Sequence, residues 1–119
     1  SRAEWALQRA TDIGRTDVNF GGITGVRKTV DMYEALGMKC EIHVGGFGNA
    51  QILAATDGDL CEYFERGLLG LEMVDTPMPP YLQAQCDPMD DDGNVLLPDG
   101  PGLGCELNWD YINDHRVGH

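Results

Sequence analysis

Positive charge is scarce in this sequence of 119 residues. Eight Lys and Arg face twenty Asp and Glu, so the formal net charge at pH 7 is −12. A field of that sign repels the phosphates of nucleic acids and of anionic membrane surfaces, and we expect neither as a partner. The sequence also lacks a long apolar run and a secretory leader pattern. We therefore predict a cytoplasmic protein.

Closely spaced cysteine pairs are missing as well. The four cysteines lie far apart along the chain and form no CxxC motif: Cys40, Cys61, Cys86 and Cys105. This spacing gives little support to a zinc site or a disulfide framework. Cys40 and Cys61 lie in strand-like runs, where a buried, reduced thiol is the ordinary interpretation.

What the sequence does contain is an alternation of helical and extended patterns. Helical patterns occupy residues 3–10, 24–36 and 50–56, and strand patterns occupy residues 11–20, 38–43 and 60–65. Strands that alternate with helices indicate parallel βα units, so we predict an α/β fold with these units in residues 1–70. Residues 71–119 are rich in proline and turn signals and are predicted to form an extended or hairpin-like tail. Because three parallel strands leave exposed sheet edges, the chain is expected to be part of a larger structure.

Polar residues are predicted at the carboxyl ends of these strands, where parallel α/β proteins place their active sites. The first strand ends near Asp17 and Asn19, the second ends at His43, and the third carries Glu62 and Glu65. A histidine can act as a general base near neutral pH, and a neighbouring carboxylate fixes its tautomer. Since the two glutamates are three residues apart on a strand, only one of them can face a pocket.

Each of these residues also has a plain structural interpretation. A strand-end histidine is often a satisfied structural residue, and Asp17 could be a turn carboxylate. Glu65 could form a surface ion pair with Arg66, and Glu62 could be solvated. The glycine-rich loop at residues 45–48 lacks the Gly-Lys-Ser/Thr of a P-loop, so it gives little support to nucleotide binding.

Four longer stretches of the sequence, taken together, resemble one known protein family. They are GGITGVRKTVDMYEALGMKCEIH, NAQILAAT, CEYFERG and the ending DPMDDDGNVLLPDGPGLGCELNWDYI. In combination they resemble the C-terminal barrel segment of the enolase superfamily, in its mandelate racemase/muconate lactonizing enzyme subgroup. The resemblance implies a modified TIM barrel with a separate capping domain. This chain would carry barrel strands six to eight, and its tail would pack on the barrel or on the capping domain.

The resemblance also implies roles for individual residues. His43 corresponds to the general base at the end of strand seven. Cys61-Glu62-Tyr63 matches the setting of the strand-eight glutamate. Glu62 would therefore hydrogen-bond the substrate carboxylate or its enediolate, with Glu65 as the alternative. Gly45 and Gly46 would let the backbone turn tightly and leave room for the substrate.

One position departs from the family pattern. The aspartate that pairs with the histidine normally stands five residues before the GG pair, where this sequence has Thr16. Asp17 comes one residue later. Because side chains alternate along a strand, Asp17 is expected to turn away from the pocket unless a bulge restores it. Asn19 is then the alternative polar partner.

The family chemistry is Mg²⁺-dependent abstraction of a proton α to a carboxylate. The resemblance implies an acid-sugar dehydratase, with a racemase, epimerase or cycloisomerase of the same subgroup as the alternative. A non-catalytic fragment or interaction module is the alternative of a different class. The Mg²⁺ ligands are expected outside these 119 residues, so the isolated chain should be inactive. A carboxylate-bearing small molecule, the remainder of the barrel and capping domain, and a homo-oligomer are the implied partners.

Overall fold

The computed structural model describes residues 1–66, 77–85 and 87–118. The helices are α1 (Arg2–Leu7), α2 (Val18–Ala35), α3 (Phe47–Ala54) and α4 (Trp109–Asp114), and the strands are β1 (Ile13–Thr16) and β2 (Lys39–Ile42). No helix in these residues is long and apolar enough to cross a membrane.

The two strands run parallel and are joined through α2. Their register pairs Ile13 with Lys39 and Thr16 with Ile42. The backbone N–H of His43 donates to the carbonyl of Thr16 at 2.8 Å and so extends the ladder by one residue. The predicted parallel βα arrangement is therefore confirmed for these elements.

Side-chain alternation separates the two faces of this sheet. Gly14, Thr16, Cys40 and Ile42 are buried, whereas the residues between them are exposed or partly exposed. The buried positions pack against the helices in one apolar cluster, whose main members are Ala6, Val26, Val30, Tyr33, Cys40, Ile42, Ile52, Leu60 and Cys61. Each fully buried apolar side chain of this kind stabilises the fold by about 1.5–3 kcal/mol.

Two cysteines belong to that cluster, as predicted. Cys40 and Cys61 are buried and unbridged. Burial raises the pKa of the Cys40 thiol to about 12 and that of the Cys61 thiol to about 11. Both side chains therefore act as small apolar residues at neutral pH. Cys86 lies outside the described residues.

The first strand is shorter than predicted. The strand pattern covers residues 11–20, but the strand ends at Thr16, and helical structure begins at Val18. The reason is Asp17, whose carboxylate accepts from the backbone N–H of Asn19 at 2.9 Å and caps the helix. The helix then kinks at Gly22, with φ of 62° and ψ of 168°. The helix predicted from residue 24 is its second part.

The third predicted strand, at residues 60–65, does not form as a strand. Cys40 donates its N–H to the carbonyl of Leu60 at 2.9 Å, which ties this segment to β2 at one point. Beyond it, the Glu62 N–H contacts the Glu41 carboxylate rather than a backbone carbonyl. The segment therefore lies beside β2 without continuing the ladder.

The tail, for which the sequence predicts turns, contains one at Asp92-Gly93-Asn94. Asp90 N–H donates to the Asn94 carbonyl at 2.9 Å, Gly93 has φ of 83°, and Met89 bridges to Val95 in antiparallel fashion. Helix α4 was not predicted. The predicted boundary at residue 70 lies outside the described residues.

Candidate active site at the carboxyl end of the sheet

His43 and Asp17 lie side by side where the two strands end. Because Thr16 pairs with Ile42, the next residue on each strand is brought to the same level. His43 Nδ1 lies 3.2 Å from Asp17 Oδ2. The expectation that Asp17 turns away is therefore wrong. Asp17 shares its face with Arg15, whereas Thr16 is buried at 2% exposure toward the helices.

The Asp17 carboxylate is held ionised in a nearly closed setting. Its side chain is 5% exposed, and burial by itself would raise its pKa. Hydrogen bonds from the Asn19 backbone, the Asn49 amide and the His43 ring outweigh that effect and leave the pKa below its ordinary value. A carboxylate at this place is able to orient the imidazole and to stabilise its protonated form.

Asn19 supports this carboxylate instead of replacing it. Its side-chain Nδ2 donates to Asp17 Oδ1 at 3.0 Å, and its backbone N–H donates to the same oxygen. Asn19 therefore touches the pair through Asp17. Of the polar residues predicted at the strand ends, Asp17 therefore lies next to His43, and Asn19 contacts Asp17 from the other side.

Glu65 lies at the same end of the sheet. Its Oε2 accepts from the Val44 N–H at 2.6 Å, and its carboxylate pairs with the Arg15 guanidinium at 2.5 Å. The Val44 hydrogen bond is the main reason why the pKa of Glu65 is lowered, with Arg15 adding to it against the effect of burial. A negative charge is therefore fixed next to the residue that follows His43.

Glu62 occupies a different place. It forms an ion pair with Lys39, the first residue of β2, and this contact raises the pKa of Lys39. His43 follows the last residue of that strand. In the described residues the ion pair of the Glu62 side chain is thus at the opposite end of β2 from His43, and Glu65 is the glutamate whose side chain contacts the His43 end.

Gly45 and Gly46 border a cavity of about 320 Å³ at the start of α3. Gly46 caps the helix with φ of 111°, a backbone conformation that favours glycine. A Cβ on Gly45 would lie 3.3 Å from Asp87 Oδ2 and from Phe64. Asn19 lines the same cavity. The glycines that were predicted to leave room for a substrate and the residue that holds Asp17 therefore border one cavity.

Two residues of the site were missed by sequence reasoning. Asn49 is buried at 1% exposure and bonds to both Asp17 and the His43 backbone. Arg15 balances Glu65. The available signal for Asn49 was an amide side chain at the start of the apolar run AQILAA, where a buried polar group needs fixed partners.

Metal ligands are a separate matter. The described part of the chain contains no group of three or more His, Cys, Asp or Glu side chains that could hold a metal ion.

The model of the family described as "Enolase C-terminal domain-like" matches residues 1–111. This chain belongs to that family. A search of curated proteins found no match.

Two solved structures resemble this member of the enolase C-terminal domain-like family. One is a D-glucarate dehydratase from Agrobacterium tumefaciens complexed with magnesium, with 42% identity over 98% of this chain and a TM-score of 0.83. The other is described as a putative mandelate racemase/muconate lactonizing enzyme from Pseudovibrio sp. It has 23% identity over 98% of this chain and a TM-score of 0.75, and at this identity the similarity supports the fold alone. The chain spans about 30% of the length of each.

Proposed function

We propose that the protein containing this chain abstracts a proton α to a carboxylate, and that it is an acid-sugar dehydratase. The observation that carries the proposal is the Asp17–His43 contact of 3.2 Å at the carboxyl end of a parallel sheet. His43 is the base in this proposal, and Asp17 is its positioning partner.

The contact defines which ring nitrogen does the chemistry. An ionised carboxylate only accepts hydrogen bonds, so a neutral His43 donates to Asp17 through Nδ1–H. The lone pair then lies on Nε2. The His43 side chain is 39% exposed, so this nitrogen can be reached from the solvent side. When Nε2 takes the proton, the Asp17 carboxylate stabilises the imidazolium.

Dehydration uses the same proton twice. His43 Nε2 removes the α-proton, the electron pair of the broken C–H bond moves toward the carboxylate, and an enediolate forms. Loss of the β-hydroxyl follows, and the protonated His43 supplies its proton to that leaving group. The net change is loss of one water, with His43 neutral again. The resemblance assigns the contact with the substrate carboxylate to Glu62. Glu65 is held as an anion by Arg15 and the Val44 N–H, so in its place it would only accept a hydrogen bond, for example from a substrate hydroxyl.

Magnesium enters the proposal only through the family. Mg²⁺ supplies charge stabilisation to an enediolate when bound. The described residues do not offer a ligand cluster for it, so we assign the metal to residues other than these and derive no step through it.

Similarity favours dehydration among the family reactions. The 42% identity to a D-glucarate dehydratase extends over nearly all of this chain. A racemase, epimerase or cycloisomerase would use the same base, and a non-catalytic module would use none. The remainder of a barrel and capping domain, a homo-oligomeric assembly and a cytoplasmic location remain parts of this proposal.

The test is α-proton exchange in D₂O with the full-length protein and a panel of acid sugars. We expect exchange and loss of water with wild-type protein, and loss of both with His43→Asn. His115→Asn is the matched control, because His115 stacks on Tyr111 at a centroid distance of 3.9 Å in α4 and is exposed. Normal exchange in His43→Asn would eliminate His43 as the base. Exchange with inversion but without loss of water would identify an epimerase, and no exchange with any acid sugar would contradict the enzyme proposal.

A further inference from the structure

The side-chain amide of Asn49 connects the segments that carry the two members of the pair. Asn49 lies on α3, and it contacts the residues that follow β1 and those that follow β2. We infer that Asn49 is a positioning residue that fixes Asp17 relative to His43. The positioning is inferred from the geometry alone, whereas its effect on catalysis rests on the proposed function.

The orientation of the amide is defined by its contacts. The Val18 backbone N–H donates to Asn49 Oδ1 at 3.0 Å. A backbone N–H cannot donate to an NH₂ group, so Nδ2 must face the other way. On that side the shortest distances from Nδ2 are 2.9 Å to the His43 carbonyl and 3.1 Å to Asp17 Oδ1. The two hydrogens of the amide thus match one oxygen from each member of the pair.

Burial makes this arrangement rigid. Asn49 is 1% exposed, so water cannot replace a lost partner. A buried polar group left without its partner loses its hydration and gains nothing in return, which destabilises the fold. Rotation of the amide would leave several such groups unpaired at once, and the observed orientation is therefore strongly preferred.

The contact with Asp17 also determines which carboxylate oxygen faces the histidine. Oδ1 accepts from the Asn19 backbone, the Asn19 side chain and the Asn49 side chain. Oδ2 is the oxygen that lies 3.2 Å from His43 Nδ1. Bonds to one oxygen from two side chains prevent the carboxylate from turning, and they leave the second oxygen directed at the imidazole.

The turn after His43 needs the same support. Val44 has φ of 55°, a backbone conformation that is unfavourable for a β-branched residue. The Val44 carbonyl lies 3.3 Å from Asn49 Nδ2, and the Val44 N–H donates to Glu65. Side chains on both sides of this peptide segment thus keep a strained turn in place, and that turn fixes the direction of His43.

The experiment uses the full-length protein and the isosteric variant Asn49→Asp. This change keeps an acceptor for Val18 but removes both donated hydrogen bonds and adds a carboxylate beside Asp17. Two quantities are measured: the fraction of neutral His43 that carries its proton on Nδ1, by ¹⁵N NMR, and the rate of α-proton exchange. Thr56→Val is the matched control, because Thr56 follows the same helix and its hydroxyl bonds to the Ile52 carbonyl.

We expect the Nδ1–H tautomer to be dominant in wild type and in Thr56→Val and to fall in Asn49→Asp. Exchange should fall about 10- to 100-fold, the range for a displaced proton-transfer group. The ratio of variant rate to wild-type rate should rise as the pH is lowered, because protonation of the introduced carboxyl restores a donor. A purely structural role would lower the melting temperature without changing the tautomer.

Several outcomes would overturn the inference or separate it from the function. Wild-type tautomer and exchange rate in a folded Asn49→Asp protein would overturn it. If Asn49→Asp does not fold, Asn49→Ser takes its place. Serine is neutral, but its side chain is too short to reach Asp17. An unchanged His43 tautomer in Asn49→Ser would overturn the inference equally. If wild type exchanges no α-proton from any acid sugar, the proposed function fails, while the tautomer comparison still decides the role of Asn49.

Discussion

His43 Nδ1 and Asp17 Oδ2 are 3.2 Å apart, although the residues are 26 positions apart in sequence. Helix α2 returns the chain so that β1 and β2 lie parallel and in register, with Thr16 opposite Ile42. Each residue of the pair is the first one after its strand. The contact is thus a direct product of the strand register, and it can be tested from both sides.

Asp17→Asn should separate activity from folding. Asparagine caps helices as well as aspartate does, so the start of α2 should be retained. The amide cannot stabilise a protonated His43, and α-proton exchange should fall about 10²- to 10⁴-fold. Exchange rates and circular-dichroism melting of the full-length protein measure the two effects. A variant with wild-type exchange would contradict the role of Asp17.

Acid should destabilise the protein partly through Asp17 and Glu65. Their folded pKa values lie below the ordinary values of 3.8 and 4.5. The unfolded chain therefore binds more protons in this range, and stability falls as the pH is lowered. The contribution of the two carboxylates to the free energy of unfolding is fully present above the ordinary pKa values. It is lost as the pH falls through the lowered pKa values of the folded protein. Urea unfolding between pH 6 and 3 should show this slope, and Asp17→Asn with Glu65→Gln should flatten it. An equal slope in both proteins would contradict the assignment.

The two glutamates can be distinguished by matched amide substitutions. Glu65→Gln loses the charge that Arg15 and the Val44 N–H contact at the His43 end of the sheet. It should reduce α-proton exchange by at least about tenfold. Glu62→Gln removes only the ion pair with Lys39, which is partly exposed and should have little effect on stability or exchange. Steady-state exchange kinetics of both variants compare the assignments, and the opposite order of effects would restore Glu62 as the site residue.

Gly14→Ala should destabilise the fold through packing alone. An added Cβ would lie 2.2 Å from Cε2 of Tyr33, and the ring is buried at 3% exposure. Overpacking of this kind costs about 1–3 kcal/mol. Gly25→Ala is the control, because a Cβ there meets no atom within 4 Å and alanine favours a helix by up to about 1 kcal/mol. Denaturant unfolding of both variants gives the difference, and equal stabilities would contradict the predicted clash.

Sequence patterns predicted the main architecture because they report local preference and burial. Period two in residues 38–43 identified β2, and helical spacing identified most of α2. The end of β1 was not predicted, because it depends on a side chain of Asp17 that caps the next helix. The third strand was not realised, because a ladder requires a continuous backbone partner and Leu60 provides one hydrogen bond to Cys40.

Strand-end placement named candidate residues for the site, but it did not predict how they contact one another. The strand-end rule places Asp17 and His43 at the same edge of the sheet. The family spacing, in contrast, favours position 16, which is Thr16 here, and predicts that Asp17 turns away from the pocket. The register decides this point, and register is a tertiary property. Asn49 was missed because its importance comes from contacts with residues 17 and 43, which are distant from it in sequence.

The alternation along β1 and β2 has a consequence for how such a protein can diversify. Gly14, Cys40 and Ile42 face the helices and are buried, whereas Arg15 and Lys39 face the other way. Substitutions on the second set can change the charge of that face without disturbing the packed layer. The charge of this face can therefore vary by single mutations at little cost in folding, while the residues of the packed layer remain restricted in size and shape.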